Sequence, residues 1–187
     1  MTEHVDLTDP HLHEPVGIAT ADAGQVYHAD GVGSGNWTAP AVHYGQMNII
    51  ANATAQTTVA ATTEQMIGDD VTGKWVTGLV NGVTFSSGDQ AMSISDDGVY
   101  ILDFWCSFTA PNSSDTTFYF SIDGGTTLSS QTMTRTSTSA TDVGVLAARA
   151  IIELTTSNLV EIHVENSVGG AVYFQDSGMS LLQIKET

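Results

Sequence analysis

Along residues 99–108, VYILDFWCSF, apolar side chains recur at every second position, so that Tyr100, Leu102, Phe104, Cys106 and Phe108 share one face. That is the period of a β-strand with one side in a core. The opposite face, Val99, Ile101, Asp103, Trp105 and Ser107, is mixed but still partly apolar. FYFSI (118–122) alternates again, and the following DGG (123–125) offers residues that tolerate the positive φ of a tight hairpin turn. LVEIHVEN (159–166) predicts Val160, Ile162 and Val164 inside, with Glu161, His163 and Glu165 outside. AVYF (171–174) and MSLLQI (179–184) read as the closing strands. SDDG (95–98), PNSSD (111–115) and VGG (168–170) fall between these runs as turns, the spacing of a sandwich or barrel. VGVLAARAIIEL (143–154) has the Ala and Arg content of a helix, yet Leu146, Ala148, Ala150, Ile152 and Leu154 fit one face of a strand. Its β-branched residues and its neighbours favour the strand.

The first 45 residues are different. They hold three of the four prolines, five of the six histidines and six acids, with no Lys or Arg. No period of two or 3.6 is sustained, and GVGSGNWTAP (31–40) reads as a glycine-rich loop with one aromatic anchor, Trp37. The expectation is an extended attachment arm over 1–45 and a β domain over 46–187. Fully stretched, the arm would reach about 150 Å at ~3.3 Å per residue. Without a core to offset the ~1–2 kcal/mol per residue of backbone ordering, it is expected to be ordered mainly by what it touches.

The order of GVYILDFWCSF, FYFSIDGG, NLVEIHVEN and SGMSLLQI resembles the jelly roll of the tumour-necrosis-factor and complement type over residues 73–187. The resemblance implies an all-β jelly-roll sandwich that assembles as a compact trimer around apolar residues from neighbouring chains. HLHEPVGIATADAGQVYHADGVGSGNW (11–37) resembles a segment near the start of tail-fibre and capsid-associated proteins of bacteriophages. It implies a virion protein whose arm attaches to another virion protein, such as the major capsid protein.

Charge narrows the partners. Four basic residues (Lys74, Arg135, Arg149, Lys185) stand against 21 acidic ones, a net charge of −17. Phosphate binding needs clustered Lys and Arg, so nucleic acid is excluded as a partner. No apolar run approaches the ~20 residues of a membrane helix. The polar start MTEHVDLTDP lacks the pattern of a signal peptide, so the expectation is assembly in the host cytoplasm. The single cysteine, Cys106, cannot form an internal disulfide.

Catalytic signatures are sparse. Cys106 lies on the core face of its strand, where a thiol is inert. There is no G-x-S-x-G elbow, and GVGSG lacks the Lys and helix of a phosphate loop. No enzyme and no cofactor are expected. In the arm, DPHLHEP (9–15) sets His11 and His13 on one side of an extended chain. Three chains on an axis would offer six imidazoles to a transition metal. The alternative is an anchor, with Pro10 and Pro15 fixing an extended path. Asp69–Asp70 and Asp96–Asp97 could supply calcium oxygens, although Asp-Asp-Gly is also an ordinary turn. Trp105, opposite the core face, is either covered by a loop or the second sheet, or is a subunit contact.

The expectation drawn from these readings is a non-enzymatic virion protein that decorates the capsid surface as a homotrimer. Val99, Ile101 and Trp105 lie at the trimer interface, and His11, His13, Pro10, Pro15 and Trp37 lie in the attaching arm. The alternative is a tail-fibre or receptor-binding protein whose head contacts a host surface glycan. A third is a calcium- or sugar-binding lectin-like domain unconnected with a virus.

Overall fold

The computed structural model describes residues 25–29, 35–38, 42–50, 57–68, 75–86, 88–124, 126–127 and 132–186. The chain divides into two units, Met1–Ala41 and Val42–Thr187. His11, His13, Pro10, Pro15, Asp69 and Asp70 lie outside the described residues.

Within the first unit, β1 (Val26–Ala29) and β2 (Gly35–Thr38) form an antiparallel hairpin. Of the segment 31–40 read as a glycine-rich loop, residues 35–38 are a strand, and residues 31–34 and 39–40 lie outside the described residues. Tyr27 is directly opposite Trp37, their ring centroids 5.4 Å apart, and a cross-strand aromatic pair of this kind stabilises a short ribbon. Trp37 therefore anchors a local hairpin.

In the second unit the strands are β3 (Tyr44–Ile49), β4 (Thr57–Val59), β5 (Gln65–Met66), β6 (Val76–Asn81), β7 (Val83–Ser86) and β8 (Ala91–Ile94). They are followed by β9 (Gly98–Thr109), β10 (Ser114–Ile122), β11 (Thr126–Thr127) and β12 (Met133–Ser137). The last three are β13 (Gly144–Leu154), β14 (Leu159–Asn166) and β15 (Gly170–Glu186). No helix occurs among the described residues. One antiparallel sheet runs β13-β9-β15-β3-β6, with β4 on β15. The other runs β11-β10-β14-β8-β7, with β12 on β10 and β5 on β14. Strand β3 begins at Tyr44, so the sheet already includes residues next to the expected boundary at 45.

The alternation in β9 works as read: Tyr100, Leu102, Phe104, Cys106 and Phe108 are all buried. Phe104, Phe108, Phe118 and Phe174 meet between the sheets, with centroids 5.0–6.4 Å apart in tilted and edge-on pairs. Residues 143–154 provide a strand, and the face of Leu146, Ala148, Ala150, Ile152 and Leu154 packs on this core. AVYF and MSLLQI are two parts of one strand, β15, which shifts register between Phe174 and Asp176. Asp123 and Gly124, at φ 55° and 68°, turn the chain from β10 into β11 as DGG predicted.

One reading is corrected in β14. Val160, Ile162 and Val164 do face the core, but Glu161 and His163 on the other face are also buried. Residues 61–67 run along β14, and Glu64 from that segment meets His163. Tertiary contact converts an outward face into a covered one. Asn166, at the end of β14, is likewise buried, donating to Ser114 Oγ and Thr116 Oγ1 at 2.9 Å each.

Candidate functional site

In the sheet β13-β9-β15-β3-β6, the face turned away from the core is apolar in register. Ile151 of β13 lies opposite Ile101 of β9, Ile101 opposite Leu182 of β15, and Leu182 opposite Tyr44 of β3. Strict alternation puts all four on the same side of the pleat. Ile151 is 64% exposed, Leu182 42% and Tyr44 38%, and Ile101 is half-buried. A row of large apolar groups spanning four strands at the surface marks a contact surface better than the scattered apolar residues of a monomer.

Two pairs further along, Ala147, Trp105, Gly178 and Asn48 form a second row. Trp105 is 46% exposed. Its indole occupies the space beside Gly178 of β15, which has no side chain. A Cβ there would come within 2.6 Å of Nε1 and 2.7 Å of Cε2. Neither a loop nor the second sheet covers this tryptophan among the described residues.

Between the rows sits the ion pair of Arg149 and Asp103, Nε to Oδ1 at 2.7 Å and Nη2 to Oδ2 at 3.0 Å. The fork-to-carboxylate geometry raises the Arg149 pKa, first through the hydrogen bonds and then through the charge of Asp103. With Trp105, Ala147 and Ala148 the pair lines a shallow, open concavity. The strand at one end of the sheet, β13, adds exposed Val145; β6 at the other adds Val76, opposite Asn48, and Leu79.

Of the residues read as interface from sequence, Ile101 belongs to the first row and Trp105 to the second, while Val99 is half-buried near the end of β9. Leu182, Tyr44 and Ile151 were missed. Alternation in 143–154 already placed Ile151 opposite the core, but Tyr44 lay in a segment without a period.

The other candidates fall elsewhere. Asp96 and Asp97 lie in the turn between β8 and β9. Asp97 Oδ1 accepts from the backbone N–H and, at 2.7 Å, the hydroxyl of Thr156, bonds that hold its carboxyl below the usual range. Asp96 accepts from Ser95 Oγ at 2.8 Å and lies 3.2 Å from His43 Nδ1. Both carboxylates serve the turn. Cys106 is buried, which pushes its thiol pKa far up, as an inert core residue requires.

No protein-family model and no curated protein sequence matches the chain. Solved structures do. Eiger, a TNF from S. frugiperda, is similar with a TM-score of 0.51 at 11% identity, over 78% of this chain and 95% of that one. Murine APRIL at pH 8.5 gives 0.50 at 11% identity, over 75% and 99%. The fold is the TNF-type jelly roll. In this TNF-type jelly roll the closing strand β15 lies at the centre of the β13-β9-β15-β3-β6 sheet, between β9 and β3. The C-terminal run therefore supplies both core residues, Met179 and Leu181, and the exposed Leu182.

Proposed function

We propose that the chain is a non-enzymatic structural protein of a bacteriophage particle, a homotrimer that decorates the capsid surface and attaches through its N-terminal segment. The observation that carries the trimer is the exposed row Ile151, Ile101, Leu182 and Tyr44, joined on the same face by Trp105. Each such side chain contributes about 1.5–3 kcal/mol when fully removed from water, so covering what is still exposed of the row favours association. The trimer, as against another oligomer, follows from the resemblance to TNF and complement-type jelly rolls. The virion role rests on the resemblance of residues 11–37 to phage tail-fibre and capsid-associated proteins. A charge of −17 on the whole chain suits a densely displayed protein kept soluble by mutual repulsion.

Light scattering on the full chain tests the assembly. The reading expects three times the 19.7 kDa chain mass at micromolar concentration; one chain mass would sink it. Immunogold labelling of particles with antibody to the chain tests the location. Label spread over the head supports decoration, and label confined to the tail supports the fibre alternative. A monomer would instead leave the concavity of Trp105, Asp103 and Arg149 open, an aromatic and polar setting suited to a glycan.

A further inference from the structure

The two rows on the exposed face of the β13-β9-β15-β3-β6 sheet are separated by a row of different chemistry. Arg149 of β13 lies opposite Asp103 of β9, Asp103 opposite Ser180 of β15, and Ser180 opposite Gln46 of β3. Gln46 reaches on over β6, where a Cβ on Gly78 would come within 2.9 Å of its Oε1. A polar row therefore crosses the sheet, with Ile151, Ile101, Leu182 and Tyr44 on one side and Trp105 with Ala147 on the other.

Its hydrogen bonding is incomplete within one chain. A guanidinium has five N–H donors, and Asp103 accepts one from Nε and one from Nη2. The other donors are spare, and the side chains of Ser180 and Gln46 make no hydrogen bond among the described residues. On a single chain water meets all of these groups, since the Arg149 side chain is 67% exposed and that of Asp103 37%. A neighbour that covers the apolar rows takes that water away.

We propose that this polar row is the alignment key of the homotrimer, an inference that rests on the assembly proposed above. The apolar side chains hold neighbouring chains together, and the polar row fixes where along the strands they meet.

A second copy fits because it brings the same row. Rotation about an axis that runs along the strands keeps every residue at its own height, so polar row meets polar row and apolar row meets apolar row. The spare N–H groups of one Arg149 then face the Ser180 and Gln46 oxygens of the next copy. A slip of one row, two residues or about 6.8 Å, lays apolar side chains on the ion pair and leaves those donors without acceptors. A covered charge without its partners is strongly destabilising. Apolar burial alone is non-directional and carries no such penalty for a slip. Packed helices divide the work in the same way, with affinity from apolar positions and register from one polar position.

Native mass spectrometry and light scattering at micromolar concentration, on the full chain and two variants, separate the two roles. Asp103→Leu combined with Arg149→Met makes the row apolar. The assembly should persist with an unchanged or lower dissociation concentration, but spread over several masses in place of three chain masses alone. In Asp103→Asn the guanidinium keeps its charge and loses its carboxylate. The dissociation concentration should rise at least about thirtyfold, the loss expected when one partner of a covered charge pair is removed. Far-ultraviolet circular dichroism should be unchanged in this variant, which serves alone if the double variant fails to fold. A double variant that gives only three chain masses or only one, or an Asp103→Asn protein that assembles as tightly as the unaltered chain, overturns the key and leaves the trimer standing. One chain mass for the unaltered protein overturns the trimer and the key together.

Discussion

Gly178 and Trp105 show how one missing side chain shapes the exposed sheet face. The indole rests in the space a Cβ would fill, so Gly178→Ala must lift the ring or bend β15. We expect a loss of about 1–3 kcal/mol, typical of overpacking, read as a lowered denaturation midpoint. In the Trp105→Ala background the same change should cost much less, and additive losses would show that the two do not touch. Asn166 is the polar counterpart. It donates to Ser114 and Thr116 and accepts from Val168 N at 3.1 Å. Asn166→Ala leaves those groups without their partner at the β14 end, and about 2–4 kcal/mol of stability should go with it, measured by chemical denaturation.

Strands meet at turns whose carboxylates tie distant segments together. Asp97 links the β8–β9 turn to Thr156 beyond β13, and Asp142 accepts from Thr138 N at 3.2 Å and from Arg135 Nη2 at 3.0 Å. Both pKa values are lowered from 3.8, chiefly by hydrogen bonds from backbone N–H groups. A depressed carboxylate contributes stability that is present above 3.8 and is lost as pH falls through the lower folded value. Denaturation midpoints followed from pH 5 to pH 2 should therefore decline less steeply in Asp97→Asn than in the unaltered chain; parallel curves would remove the turn from the acid response. The strands themselves were legible because alternation states which side of the pleat is in the core, as in β9, β10 and β13. What alternation does not state is what covers the other side. Glu161 and His163 read as solvated because residues 61–67, which run along β14, come from about a hundred residues earlier in the chain. Tyr44 was missed because its strand is recognised only beside β15, and the hairpin of Tyr27 and Trp37 because glycines hid a four-residue strand. Trp105 was legible as an anomaly, a large aromatic on the wrong face of a core strand.

At the scale of the molecule, a chain with a net charge of −17 carries a jelly roll that exposes one face of a six-stranded sheet crossed by apolar side chains. Charge repulsion opposes association and the apolar face drives it, so the balance should shift with ionic strength. Screening reduces the repulsion between subunits, and the assembly should be tighter in ~0.5 M salt than in ~0.02 M. The Arg149–Asp103 pair is exposed, and such pairs contribute little, about 0–1 kcal/mol. Salt should therefore not loosen the sheet itself. The most direct measurement is the mass of the full chain and of an Ile101→Asp, Leu182→Asp double variant by light scattering at micromolar concentration. Both side chains are on the surface of the sheet, so the variant should keep its far-ultraviolet circular dichroism. The account predicts three chain masses for the unaltered protein and one for the variant. A single chain mass for the unaltered protein, or an unchanged trimer in the folded variant, would contradict it.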